Sequence, residues 1–172
     1  MFETFGPFHL ETHDPKGIDD LFSEMEKANK KLEDAIGVYI FIGLSPDGKP
    51  LPLYVGQTYR SFGKRLIEHF ESHKFSKHVE RVGPISLFLI ARMTAKQRFR
   101  LSTAKIRADH GLKSIDWLEV QLIDHCLKLN PSLLNVSEKA FQNSLRVPGF
   151  RDNGAAERKP AAKALSKVLK IR

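Results

Sequence analysis

Five side chains spread along the chain have types that could together hydrolyse a phosphodiester. Arginine braces a phosphate at two oxygens, and tyrosine hydroxyls orient an attacking water. Histidine, whose pKa lies near neutrality unless its site shifts it, can take the proton of that water. One carboxylate can hold a hard divalent cation that keeps most of its waters. The five residues are Tyr39, Tyr54, Arg65, His69 and Glu119.

A helical period that begins after Thr58 predicts the helix that carries two of these residues. Arg65 and His69 lie one turn apart on its apolar face, where a charged side chain needs a partner. We therefore expect a charged group to meet them. The predicted face comprises Phe62, Arg65, Leu66, His69 and Phe70.

Two runs of β-branched and aromatic residues precede this helix and predict a β-hairpin. They are Gly37–Leu44 and 53–56, joined by a loop that contains Pro46-Asp47-Gly48. The hairpin would bring Tyr39 and Tyr54 onto adjacent strands. A continuous apolar run over 85–91, after Pro84, predicts a third strand that is covered on both faces.

Three further helices are predicted around these strands. Helical spacing of apolar residues predicts a packing helix from Asp19 or Asp20 to Asp34. A basic segment predicts a helix over 94–110. The last predicted helix begins with Ser114 as N-cap and ends at Leu129, before a proline. Its core-facing stripe contains Glu119, a carboxylate where an apolar residue would be expected.

Charge is the strongest signal in the composition. The net charge of +8 and the pI of about 9.6 favour a polyanionic partner such as nucleic acid. Basic residues of the 94–113 segment and of the C-terminal tail could contact phosphates, although a solvated charged face is the alternative. These residues are Lys96, Arg98, Arg100, Lys105, Arg107, Lys163, Lys167 and Lys170.

Length and composition predict one globular domain with two appendages. Residues 1–35 form an N-terminal arm, at most a short edge strand, and an acidic packing helix; residues 36–150 form the body with a basic insertion near 94–113; residues 151–172 form a basic tail. The single Cys126 excludes an internal disulfide framework. The N-terminus lacks signal-peptide features and no apolar run could span a bilayer, so we expect an intracellular, cytoplasmic protein that binds no membrane.

The order of the motifs resembles the GIY-YIG nuclease superfamily over residues 36 to about 136. Gly37-Val38-Tyr39 precedes Tyr54-Val55-Gly56, and Arg65, His69, Glu119 and Asn135 follow in order. The resemblance implies an α+β fold (an α/β mixture) with a small three-stranded antiparallel sheet flanked by helices. It further implies a stand-alone metal-dependent endonuclease that cleaves DNA, with RNA not excluded and the oligomeric state open.

Residue roles follow from this resemblance alone. Glu119 would bind Mg²⁺ or Mn²⁺, Arg65 and Tyr54 would hold the scissile phosphate, and Tyr39 or His69 would handle the proton of the water. Asn135 and the backbone of Gly56 would support the site. Many members carry a lysine directly after the second tripeptide, where this chain has Gln57, so a lysine base at that place is in doubt.

Three other interpretations of these residues stay open. Arg65 and Glu119 could form a structural ion pair in a small core. The fold could bind nucleic acid without cleaving it, although the chain retains every candidate catalytic residue. A metal-binding regulatory protein could use His69, His73 and His78, since the first two share a helical face.

Overall fold

A computed structural model describes residues 1–72, 83–103, 106, 112–135 and 168. Residues 1–135 form one compact unit. The described part has an α+β fold in which three helices flank one antiparallel sheet, as expected for the class. The elements in chain order are β1 (Phe2–Leu10), α1 (Pro15–Ala28), β2 (Gly37–Leu44), β3 (Pro50–Thr58), α2 (Phe62–Glu71), β4 (Ile85–Arg92) and α3 (Lys113–Leu129).

The sheet has four strands in the order β1-β4-β2-β3, so the expectation of three strands is wrong. The additional strand is β1, which pairs antiparallel with β4 over nine residues and is longer than the predicted arm or short edge strand. A register shift between Phe5 and Phe8 accommodates Gly6, at a φ of 111°, and Pro7. The glycine and proline therefore bend this edge strand without ending it.

Each strand of the hairpin alternates between two cores on opposite faces of the sheet. Tyr39 and Phe41 belong to the core that α1 and α2 cover, together with Phe62 and Leu66. Val38 and Val55 point the other way and pack against α3. β4 is central, but its residues alternate between buried and half-buried, so its two faces are not equally covered.

Two helices begin at different residues than expected. α1 begins at Pro15, because the Asp14 carboxylate caps it by accepting from Gly17 N at 2.8 Å, and it ends at Ala28. α3 begins at Lys113 with Leu112 in the cap position, so the assignment of Ser114 as N-cap is wrong. The predicted face of α2 and the predicted end of α3 at Leu129 are both found.

The predicted basic helix over 94–110 is wrong for residues 94–103. Backbone hydrogen bonds within residues 94–98 close a turn, and the chain then pairs with an extended neighbour: Arg100 N donates to Arg92 O at 2.7 Å. Phe99 packs edge to face on Phe5 at 5.5 Å, which draws the segment onto the sheet. The rest of the predicted helix, apart from Ile106, lies outside the described residues.

None of the described helices combines the length and the apolar character that a membrane-spanning segment requires.

Candidate active site

A cluster of polar side chains lies where α2 crosses β2 and β3; we call Tyr39, Tyr54, Arg65 and His69 the α2-face cluster. Tyr39 Oη lies 2.5 Å from His69 Nε2, and Arg65 Nε donates to Tyr39 Oη at 3.2 Å. The Tyr54 ring stands edge to face with the His69 ring at 5.2 Å. Four of the five sequence-predicted catalytic residues are thus in mutual contact.

Burial controls the protonation of this cluster. Tyr39 has no exposed surface, and burial together with the neighbouring Tyr54 raises the pKa of its hydroxyl above the ordinary value. Burial and the positive charge of Arg65 lower the pKa of His69 to about 4. The site therefore moves the pKa of His69 further below pH 7, and both Tyr39 and His69 are uncharged at pH 7.

The direction of the hydrogen bonds follows from these protonation states. Arg65 Nε can only donate, so the Tyr39 oxygen accepts that bond and keeps its own proton for a second partner. In the tautomer that carries its proton on Nδ1, neutral His69 accepts the Tyr39 proton at Nε2. If the Tyr39 hydroxyl takes up a proton, His69 Nε2 is the adjacent atom that can accept the proton that Tyr39 gives up.

The charged partner expected for Arg65 is Glu68, from the same helix. Glu68 Oε2 accepts from Arg65 Nη1 at 3.1 Å and from Arg60 Nη2 at 2.6 Å. The Arg65 side chain is one-third exposed, so a phosphate can reach it from solvent. Arg65 and the half-buried Tyr54 are therefore the members of the cluster that can touch a substrate.

Gly56 makes room for this cluster on β3. A Cβ at this position would collide with the Tyr39 hydroxyl and with the Tyr54 ring. Glycine here lets the Tyr39 hydroxyl approach the backbone of the edge strand. This steric role differs from the backbone role that the resemblance implies for Gly56, which stays a prediction.

Asn135 holds the exposed edge of β3 beside the tyrosine. Its Oδ1 accepts from Val55 N at 3.0 Å and its Nδ2 donates to Val55 O at 2.6 Å, and the side chain is 3% exposed. Asn130 does the same further along by donating to Pro52 O at 2.7 Å. The two amides satisfy backbone groups that an edge strand otherwise leaves unpaired, and Asn135 does so between Tyr54 and Gly56.

Glu119 lies on α3, against the other face of the sheet, in a second group that we call the α3-face cluster: Gln57, Tyr59, Asp116 and Glu119. The Asp116 carboxylate accepts from the Tyr59 hydroxyl and, at 3.1 Å, from Gln57 Nε2. Burial, the bond to Asp116 and the negative charge of Glu119 together raise the pKa of Tyr59. Asp116 and Glu119 are three residues apart and so share one side of α3.

This second cluster offers oxygen ligands of the kind that a hard divalent cation prefers. Gln57 Oε1 is buried and accepts no hydrogen bond from the residues that the structure describes, and its orientation is fixed because Nε2 faces the Asp116 carboxylate. Such an oxygen suits a metal-bound water. Within the described ranges, no three His, Cys, Asp or Glu side chains lie close enough to share one metal ion.

The predicted nucleic-acid contacts are only partly described. Lys96, Arg98 and Arg100 are exposed on the 94–103 segment. Arg60 and Lys64 line a surface cleft of about 520 Å³ at the start of α2. The other predicted contacts, Lys105, Arg107, Lys163, Lys167 and Lys170, lie outside the described residues.

The sequence did not single out Glu68, Arg60, Asp116 or Tyr59. Charged residues on a helix surface are usually solvated, so their spacing alone gives no signal. One indication was available for Asp116, which precedes Glu119 by three residues on the same predicted helix.

No family model, curated protein or solved structure matches the chain.

Proposed function

We propose that this protein is a GIY-YIG-type endonuclease that hydrolyses DNA phosphodiester bonds with a divalent cation. One observation carries the proposal: the hydrogen-bonded line from His69 through Tyr39 to the solvent-accessible Arg65, beside Tyr54 on an edge strand. This line pairs a phosphate-binding cation with a proton acceptor. The net charge of +8 fits a polyanionic substrate.

Arg65 and Tyr54 hold the scissile phosphate in this proposal. Two acceptors fix the guanidinium, Tyr39 at Nε and Glu68 at Nη1, so binding a phosphate requires little reordering. The same cation stabilises the charge that develops on the phosphoryl oxygens as water attacks phosphorus and the P–O bond to the leaving group breaks.

Tyr39 and His69 manage the proton of the water. The pKa of His69, near 4, makes it too weak a base to take a proton from bulk water at pH 7. Its place behind Tyr39 suits a relay instead, in which the proton of the attacking water moves towards Tyr54 and Tyr39 while His69 Nε2 accepts the Tyr39 proton. Nearby Tyr54 influences the pKa of Tyr39, which is consistent with the two hydroxyls acting together.

Glu119 would hold the cation, Mg²⁺ or Mn²⁺, and Gln57 Oε1 would accept a hydrogen bond from one of its waters. The bound ion would supply positive charge against the phosphate and a water of lowered pKa for the leaving oxygen. Asp116 keeps the Gln57 amide oriented for this contact.

One observation favours a second candidate function, a nucleic-acid-binding protein without catalysis. Tyr39 has no exposed surface and His69 only 8%, so neither meets a substrate directly in this conformation. A binding protein would use the same basic surface and leave these two residues as core.

Incubation of the purified protein with plasmid, linear and branched DNA in Mg²⁺ or Mn²⁺, followed by mapping of the ends, separates the two. The nuclease gives new ends that depend on the cation and disappear with EDTA. Binding without cleavage in every cation and on every substrate supports the second candidate.

A further inference from the structure

Glu68 lies between the two arginines of this surface. One of its oxygens, Oε2, accepts from both Arg65 and Arg60, at 3.1 and 2.6 Å. Its neighbour in sequence is His69, and Arg65 reaches Tyr39 at its other end. A continuous polar line therefore runs from Arg60 at the surface to the buried imidazole.

We propose that Glu68 is a positioning residue for Arg65, which deepens the proposed function and rests on it. Tyr39 and Glu68 hold two different nitrogens of one planar guanidinium, and two fixed points set the orientation of the plane. With either bond alone the guanidinium could rotate about the remaining contact. Its capacity to meet two phosphate oxygens at once depends on that orientation.

Arg60 keeps Glu68 in place. Its backbone N donates to Thr58 Oγ1 at 3.2 Å in the turn before α2, so its side chain starts from a fixed point. About half of its side chain is exposed. It also lines the cleft with Lys64, where a flanking phosphate of the bound strand can contact it.

The charge of this trio gives Glu68 two opposed effects on DNA. Two guanidinium groups and one carboxylate leave a single net positive charge. Loss of the carboxylate exposes a second positive charge and strengthens phosphate binding, whereas it releases Arg65 from its orientation. Affinity and turnover should therefore move in opposite directions, which a residue that only supports folding would not produce. Exposed ion pairs add little to stability, so the variant should fold.

The test compares Glu68→Gln with Glu71→Gln, an exposed carboxylate one turn later on α2 whose loss changes the charge equally. Both variants should bind DNA as tightly as the parent or a few times more tightly. Only Glu68→Gln should lower kcat at saturating DNA, by about tenfold or more, as misplacement of a phosphate-binding group does. Equal kcat values in the two variants would overturn the proposal.

A second readout does not depend on cleavage. The ¹H–¹⁵N resonance of Arg65 Nε–H, assigned by its loss in Arg65→Lys, should exchange slowly with solvent in the parent and in Glu71→Gln. It should exchange at least about tenfold faster in Glu68→Gln, where a neutral amide oxygen replaces the charged acceptor of Arg65 Nη1 and holds the guanidinium more weakly. If this holds but the parent cleaves no DNA, the positioning role stands and the nuclease assignment fails. If the parent cleaves DNA and neither kcat nor exchange changes in Glu68→Gln, the positioning role fails alone.

Discussion

The two faces of the sheet carry opposite chemistry. The α2-face cluster combines a guanidinium with two phenols and a neutral imidazole. Its hydrogen bonds join the Arg65 guanidinium to Tyr39 and Tyr39 to His69, which burial keeps uncharged. The α3-face cluster instead gathers two carboxylates, an amide and a phenol. The first suits a phosphate and a moving proton, and the second suits a cation.

Strand β3 serves both clusters. Tyr54 and Gly56 lie on the α2 side, whereas Gln57 donates to Asp116 on α3. In the proposed function each cluster supplies one part of the mechanism, so variants should divide into two functional groups.

Changes in the α2-face cluster should have the largest effect on turnover. Arg65→Ala and Tyr39→Phe should each lower kcat by at least about a hundredfold and leave DNA affinity within a few fold, because these groups act on the transition state. Arg65→Lys should also fail, since one ammonium cannot reproduce two parallel hydrogen bonds. Single-turnover kinetics at saturating DNA measure this.

Lys64→Ala is the control for these variants, because Lys64 is exposed and directly precedes Arg65. It should weaken binding without slowing cleavage. If Arg65→Ala behaves like Lys64→Ala, Arg65 is only a binding residue and the α2-face cluster has no catalytic part.

Loss of Asn135 should have the next largest effect. Asn135→Ala leaves the buried N–H and C=O of Val55 unpaired and should lower the free energy of unfolding by about 2 kcal/mol. Asn130→Ala should cost a similar amount, because Asn130 also binds the β3 backbone. Only Asn135→Ala should lower kcat, because Asn135 binds the backbone of Val55, the residue between Tyr54 and Gly56. Denaturant titrations should first show that the two variants lose similar free energies of unfolding. Equal kcat values in the two variants would then show that Asn135 acts on stability alone.

The pH dependence of stability distinguishes the buried imidazole. The folded pKa of His69, about 4, lies below its unfolded value near 6.5, so the unfolded chain takes up the proton first as the pH falls. The contribution of His69 to the free energy of unfolding is fully present above about pH 6.5 and is lost as the pH falls from there towards 4. Between pH 7 and 4.5 the loss should be about 2 kcal/mol.

His69→Gln removes this contribution and should flatten the difference between the two pH values, measured by denaturant titration. An unchanged pH dependence in His69→Gln would mean that His69 titrates normally in the folded protein.

The basic surface should contribute affinity and no chemistry. Replacement of Lys96, Arg98 and Arg100 by Gln should weaken binding to all sequences alike and reduce the slope of log K against log salt by about two to three units, roughly one per lost phosphate contact. The same change at Lys27, Lys30 and Lys31, next to the acidic N-terminal region, should leave the slope unchanged. Equal slopes for both triple variants would remove the 94–103 segment from the interface.

The sequence predicted one face of the site far better than the other. Helical spacing placed Arg65 and His69 on one side of α2, and the hairpin motifs placed Tyr39 and Tyr54 on adjacent strands. These are local periods, which a sequence displays directly. The hydrogen bonds of Glu68 and Asp116 became visible only in the fold, because a paired carboxylate and a solvated one look alike in sequence.

Two errors of the sequence analysis have tertiary causes. A glycine and a proline at 6–7 argued against a long strand, yet pairing with β4 continues on both sides of a bulge. Charged residues and helical spacing over 94–103 suggested a helix, but hydrogen bonds to the sheet and the contact of Phe99 with Phe5 outweigh that local preference. In both cases long-range pairing decided the structure.

Cleavage by Glu119→Gln in Mg²⁺ tests the central claim most directly. The change is nearly isosteric, so the chain should fold. The control is Asp124→Asn, which removes one carboxylate charge from the same helix at a residue that pairs with Lys128 at 3.0 Å. The account predicts that Glu119→Gln cleaves no DNA above background, whereas Asp124→Asn cleaves at the parental rate. Parental cleavage by a folded Glu119→Gln variant in Mg²⁺ would contradict it.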